Sequence, residues 1–204
     1  MVNEASPVKP RAVLFDVMST LVHDPIFTAG PRVFGGTARE LFPRLSHAAW
    51  VDFELGAIDQ ATYFTRWVKA GPAPDPERFL SEMAADYAWL PGIEALLTDL
   101  KARGVPMHVL SNYPPWWRTI EARLRLSRFV SWTAVSCEVG LRKPDPAVYH
   151  EAARRAGFAP GELVFVDDRA SNVDGARSVG MAGVVFEGAG PLRAALAECL
   201  EMDL

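Results

Sequence analysis

An α/β fold is predicted for this sequence: a three-layer core around a parallel sheet, with an all-helical cap inserted after the first strand. Three observations predict it. Residues 12–15, Ala12-Val-Leu-Phe15, form an unbroken apolar run that stops on an acid, Asp16. Such a run suits a central parallel strand covered on both faces. Between Ile26 and Trp89 no stretch reads as a strand, and apolar residues recur there at helical spacing. After Pro91-Gly92, helical and strand-like segments alternate to the end. Alternation of that kind implies right-handed crossovers and a parallel sheet.

The elements follow in order. Residues 1–9 read as an irregular lead-in. The first strand runs into a turn through Ser19 and Thr20, and His23-Asp24-Pro25 stops regular structure. Helices are expected over 39–53, 60–70 and 76–89, separated by Gly30, Gly35, Gly36, Gly56 and the Gly71-Pro-Ala-Pro-Asp-Pro76 run. Then come a helix over 93–103, a strand over 105–110 and a helix over 116–126. A strand over 130–136 and a helix over 147–156 follow. The chain ends with a strand over 163–166, a helix over 170–179, a strand over 182–186 and a helix over 192–200. Several of these helices close on a glycine. The core is expected in residues 1–22 and 90–204, the cap in 23–89.

The composition is that of an ordinary globular chain of 204 residues with net charge −4. No basic tract points to nucleic acid or an anionic membrane surface. No apolar run approaches the ~18 residues of a membrane span. The start has no apolar signal-like stretch, and Cys137 and Cys199 form no metal or redox spacing. A cytoplasmic protein with reduced thiols is expected, as a monomer or homodimer.

Polar residues gather at strand ends: Asp16, Ser111-Asn112 and Asp167-Asp168. In a parallel sheet those ends share one edge, where open α/β folds bind ligands. Lys143 lies on a loop facing the same edge. Taken singly, Ser111-Asn112 is an ordinary strand-end turn and Lys143 an ordinary loop lysine. Adjacent acids such as Asp167-Asp168 repel unless a cation joins them. Together the acids suit a hard divalent cation. The hydroxyl and the lysine suit phosphate oxygens. A strand-end carboxylate there is placed to attack phosphorus.

With those residues in view, the chain resembles the haloacid dehalogenase superfamily of hydrolases over its whole length. Four motifs carry the likeness: Asp16-Val-Met-Ser-Thr20, Leu110-Ser-Asn112, Gly140-Leu-Arg-Lys-Pro-Asp145 and Val166-Asp-Asp-Arg-Ala-Ser-Asn172. The resemblance implies a Rossmann-like core with a helical cap and a phosphomonoester hydrolase that works through an aspartyl-phosphate. It implies Asp16 as nucleophile and Mg²⁺ ligand, with the Met18 carbonyl, Asp168 and neighbouring Asp167 completing the metal site. It implies Ser111, Asn112 and Lys143 as the phosphate holders. Asn172 stands where many relatives place an acid that reaches the metal through water.

One position departs from the pattern. Phosphatases of the superfamily usually carry a second aspartate two residues after the nucleophile, and here Met18 has no proton to give. His23 and Asp24, just beyond, are the candidate substitutes. Dehalogenases of the superfamily also lack that aspartate, but they dispense with the metal acids that this chain keeps. Within the superfamily the texture is most similar to the flavin mononucleotide (FMN) hydrolases of plant plastids. It lies in Phe15-Asp-Val-Met-Ser-Thr-Leu-Val-His-Asp-Pro25, Ser111-Asn-Tyr-Pro-Pro-Trp-Trp117 and Leu141-Arg-Lys-Pro-Asp-Pro146. That branch has an acid where this chain has Ser19.

A small phosphorylated metabolite is thus the expected partner, FMN or a riboflavin-pathway phosphate first. Tyr113, Trp116 and Trp117 are candidates to stack on a planar ring. Trp50, Phe53, Arg169 and Asn172 are further candidates to face the substrate. The stretch Phe53-Glu-Leu-Gly-Ala-Ile58 is expected to be cap core. A sugar-phosphate phosphatase, a catalytically weak ligand-binding relative and a 2-haloacid dehalogenase remain as alternatives.

Overall fold

The computed structural model describes residues 9–204. The expected lead-in over 1–9 lies, except for Lys9, outside the described residues. Strand β1 is Ala12–Phe15. A helical segment follows: α1 (Ala29–Phe34), α2 (Ala38–Leu41), α3 (His47–Glu54), α4 (Gln60–Arg66) and α5 (Pro76–Asp86). The chain then alternates: α6 (Ile93–Ala102), β2 (Met107–Ser111), α7 (Trp117–Leu124), β3 (Ser131–Val135), α8 (Ser136–Val139) and α9 (Pro146–Ala156). It ends with β4 (Leu163–Asp167), α10 (Ala170–Ser178), β5 (Ala182–Val185) and α11 (Ala189–Leu200).

The sheet is parallel throughout, in the order β3-β2-β1-β4-β5. β1 is therefore central, with β2 on one side and β4 on the other. Because successive strand residues point to opposite faces, β1 feeds two cores. Val13 and Phe15 pack with Leu96, Leu97 and Leu100 of α6, Ile120 of α7 and Leu192 of α11. Ala12 and Leu14 pack on the other face with Val148 and Tyr149 of α9 and Val173 of α10. These are the three expected layers.

Three expectations change inside the helical segment. The helix expected over 39–53 is broken into α2 and α3 by a 3-10 turn, Phe42–Arg44. Pro43 lacks the N–H that a continuing helix would need. Conversely, Gly30 lies in α1, followed by Pro31, instead of breaking the segment. Pro31 falls in the first turn, where its missing N–H has no intrahelical partner to lose. Gly30 packs closely there, since a Cβ would lie 2.7 Å from Leu41 Cδ2 and that side chain would have to shift. The expected helix over 76–89 ends at Asp86, and Trp89 pairs antiparallel with Val22. That pair, with His23 N–H donating to Ala88 O at 2.9 Å and Leu90 N–H to Leu21 O at 2.9 Å, ties the two linkers to the helical segment together.

The segment also rests on the core at the end of α3. Gly56 adopts a left-handed φ of +72°, and a Cβ on it would sit 2.5 Å from the Cys137 carbonyl oxygen. The Ser136 hydroxyl donates to the Glu54 carbonyl. Gly56→Ala should therefore lower the free energy of unfolding by about 2 kcal/mol, read as an earlier urea midpoint. An unchanged midpoint would contradict this packing.

Candidate active site

β1 delivers Asp16 to the carboxyl edge of the sheet, and the Asp16 N–H extends the pairing by donating to Val166 O at 2.8 Å. The chain then folds back on itself. Leu21 and Val22 both donate to Val17 O, at 2.9 and 2.8 Å, and Ser19 donates to Val22 O at 2.7 Å. Ser19 takes a left-handed φ of 59° to close this ring. The Met18 carbonyl accepts none of these bonds and stays available as an oxygen ligand.

Lys143 is buried, at 2% exposure. Its Nζ donates to Asp16 Oδ1 and to Asp167 Oδ2, each at 2.6 Å. Burial opposes the ammonium, but Asp16 and Asp167 outweigh it and hold the lysine above its ordinary pKa. The loop bearing Lys143 is fixed by the Asn112 side chain. The Lys143 N–H donates to Asn112 Oδ1 at 2.9 Å, and Asn112 Nδ2 donates to Lys143 O at 3.0 Å. This reciprocal pair spans loops 31 residues apart in sequence.

Asp167 is fully buried and already well supplied with donors. Besides Lys143, it accepts from Arg169 N–H at 2.9 Å and from Asn172 Nδ2 at 2.9 and 3.0 Å. Tyr149 Oη holds the Asn172 carbonyl in turn, at 2.6 Å. Asp167 thus anchors Lys143, whereas Asp168 is exposed beside it. Carboxylate oxygens of Asp16, Asp167 and Asp168 all lie within 4.8 Å of one another, a spacing that a hard cation with oxygen ligands can bridge. Burial, with the neighbouring acids, pushes the Asp16 carboxyl up to about 7 against the pull of Lys143. Burial and Asp167 also push Asp168 up. Lys143 supplies one positive charge against the three carboxylates, so the cluster keeps an excess of negative charge that a cation would offset. The buried Ser111 hydroxyl has no partner in the protein, so an anion oxygen would satisfy it.

A cavity of about 490 Å³ opens from Asp16 and Lys143 up between sheet edge and helical segment. That is a typical small-molecule volume. Asn112, Tyr113, Trp116, Asp168, Arg169 and Asn172 line it, as does Asp24. Trp50 faces it as expected, but Phe53 is buried against Tyr63, stacked at 4.7 Å. Trp117 does not line it. Its ring packs on Trp132 at 4.8 Å, because the next residue along a helix turns about 100° away from Trp116. His23 does not line it either; its Nε2 lies 3.2 Å from Thr28 Oγ1.

The structure adds a polar pair that the sequence did not suggest. Glu54 is buried and lines the cavity, where both Arg142 Nε and a terminal guanidinium nitrogen reach its Oε1 at 2.7 Å. Burial pushes the Glu54 carboxyl up, opposed by Arg142. The 53–58 stretch is therefore part of the site as well as cap core. A signal was present: Trp50, Phe53 and Glu54 stand at i, i+3 and i+4, which puts an acid in the inward stripe of α3.

Comparison with known proteins agrees with this geometry. Residues 10–180 match the model of a hydrolase family described as haloacid dehalogenase-like hydrolase. The chain is 38% identical over 180 residues to flavin mononucleotide hydrolase 1 of Arabidopsis thaliana, a chloroplast protein, covering 88% of this chain and 74% of that one. It is 32% identical over 143 residues to a phosphoserine phosphatase of Thermus thermophilus, covering 67% of this chain and 56% of the other. Among solved structures, a family enzyme from Bacteroides thetaiotaomicron superposes with a TM-score of 0.70 at 16% identity, covering 88% of this chain and 95% of that one. The same enzyme in complex with magnesium and inorganic phosphate superposes with a TM-score of 0.67 at 17% identity, covering 89% and 95%. Among the described residues, no helix is long and apolar enough to cross a membrane.

Removing the buried ammonium leaves Asp16 and Asp167 facing each other. Lys143→Met should lower the free energy of unfolding by about 3 kcal/mol, and adding Asp16→Asn should recover part of it. Equal urea midpoints for wild type and Lys143→Met would contradict the placement of Lys143.

Proposed function

The chain belongs to the haloacid dehalogenase-like hydrolases, and from that premise we propose that it is a Mg²⁺-dependent phosphatase whose substrate is FMN or a closely related phosphomonoester. One observation carries the reading. A single cavity joins a phosphate-holding pole, Asp16, Asn112 and Lys143, to aromatic walls. Trp50 and Trp116 stand in those walls, with ring centroids 5.9 Å apart. Phe27 and Phe42, 51% and 43% exposed and 5.5 Å apart, line it too. A flat, largely apolar leaving group covers those rings, whereas a sugar would leave them wet. The 38% identity to a protein named as a flavin mononucleotide hydrolase favours the same substrate.

In this reading Lys143 and Ser111 hold the phosphoryl oxygens while an Asp16 carboxylate oxygen attacks phosphorus. The ester P–O bond breaks as the Asp16–phosphorus bond forms, giving an aspartyl-phosphate. Water then attacks the same phosphorus, releases phosphate and restores Asp16. Lys143, held by Asp167 and Asn112, keeps its charge beside the nucleophile in both steps. Asp16, Asp168 and the Met18 carbonyl would hold a Mg²⁺ ion, which would supply neutralisation of phosphoryl charge. The segment over 23–89 acts as a cap that closes the cavity and excludes water.

Metal binding should follow the protonation of Asp16. A cation needs the carboxylate, and burial holds this carboxyl protonated up to about pH 7 in the metal-free site. Mg²⁺ affinity therefore rises with pH, and the Mg²⁺-induced gain in melting temperature should be larger at about pH 8 than at about pH 5.5. Loss of that gain in Asp168→Asn is expected, and an equal gain at both pH values would contradict the assignment. Activity should follow: riboflavin and phosphate appear from FMN with Mg²⁺, stop with EDTA, and fall by on the order of 10³-fold or more in Asp16→Asn. A preference for a hexose phosphate with FMN untouched would overturn the substrate.

A further inference from the structure

Breaking a phosphate ester expels an alkoxide, and a positioned proton donor relieves that charge. Met18 has no proton to give, so the donor must come from elsewhere in the cavity wall. Besides Asp24, the cavity is lined by Glu54, Tyr63, Tyr113 and His47, and burial pushes the Tyr63 phenol up. Glu54 is tied to the Arg142 guanidinium through two contacts of 2.7 Å. The Tyr113 hydroxyl is spent on Tyr87 Oη at 2.8 Å, and burial pushes it well above its ordinary pKa. His47 is exposed at the start of α3.

Asp24 is different. It lines the cavity, and its Oδ1 is fixed by the Ile26 N–H at 3.1 Å, at the start of a 3-10 turn. Among the described residues, no side chain is bonded to its Oδ2. Its backbone follows directly on the paired linkers, where His23 N–H meets Ala88 O. The charges of Asp168 and Arg169 beyond β4, and of His23 next to it, act on its carboxyl. Tyr113, beyond β2, feels Asp24 in return, as does Tyr87. β2 and β4 are the strands that flank Asp16. Burial, the leading influence, pushes the Asp24 carboxyl up against the Ile26 N–H, which keeps a proton on it nearer neutral pH.

We propose that Asp24, on the linker into the helical segment, is the general acid and base of this site. The inference rests on the phosphatase reading and adds a residue to it. In the first step the Asp24 proton passes to the ester oxygen as the P–O bond breaks and the Asp16–phosphorus bond forms. In the second, the Asp24 carboxylate takes a proton from the water whose oxygen attacks the aspartyl-phosphate, and phosphate leaves.

The test compares two leaving groups. FMN leaves as a poor alkoxide; p-nitrophenyl phosphate leaves as a stable phenolate that needs no acid. In Asp24→Asn, turnover of FMN should fall by about 10²–10⁴-fold with no burst of riboflavin. With p-nitrophenyl phosphate the same variant should release a burst of nitrophenol equal to the enzyme present, followed by slow turnover limited by the second step. Asp24→Ser retains a side-chain oxygen for the Ile26 N–H and should give the same pattern if the Asn variant folds poorly. An equal loss on both esters without a burst, or no loss, would overturn the assignment of Asp24. Wild-type protein inert to both esters would overturn the phosphatase reading, and this assignment with it.

Discussion

The position of one ammonium group governs the site. Lys143 Nζ lies between Asp16 from β1 and Asp167 from β4, 2.6 Å from each. A buried charge of this kind is poor evidence for stability, because desolvation costs about as much as the pairing returns. What it does secure is geometry: a cation fixed beside a carboxylate that points out of the sheet edge. Every other group of the site can be traced from it. Asn112 clamps its backbone, Asp167 clamps its head, and Asn172 and Arg169 clamp Asp167. The carboxylate left with room for a metal is then Asp168, exposed next in the chain.

The helical segment forms the other wall of the cavity above that edge. Its two linkers meet in a short antiparallel contact, Val22 with Trp89, and its footing is the close approach of Gly56 to Cys137. Between linkers and footing, Glu54 reaches Arg142, the residue just before Lys143. The helical segment is thus tied to the same loop that carries Lys143. A shift of the helical segment would be felt at that loop.

Much of this was legible in the sequence, for identifiable reasons. The strand-end acids could be read because apolar runs that suit buried parallel strands stop on them, as Phe15 stops on Asp16 and Val166 on Asp167. The core helices could be read from periodicity and from glycines such as Gly157 at their ends. Other features depended on contacts far apart in the chain. The Glu54–Arg142 pair joins residues 88 apart, and the Asn112 clamp joins two loops with no periodicity. Neighbouring residues in irregular backbone were also indistinguishable. His23 and Asp24 were equal candidates until a 3-10 turn placed only Asp24 along the cavity. Trp116 and Trp117 were equal until helix geometry sent one to the cavity and the other to Trp132. Gly30 read as a breaker because its role, a close contact with Leu41, lies outside local sequence.

The central claim is that Asp16 carries the phosphoryl group. Acid quenching during FMN turnover, reduction with borohydride and peptide mass analysis test it most directly, because borohydride converts an aspartyl-phosphate to homoserine. Conversion at Asp16, dependent on FMN and Mg²⁺, is the result this account predicts. Turnover of FMN with no conversion at Asp16, or conversion at another acid, would contradict it.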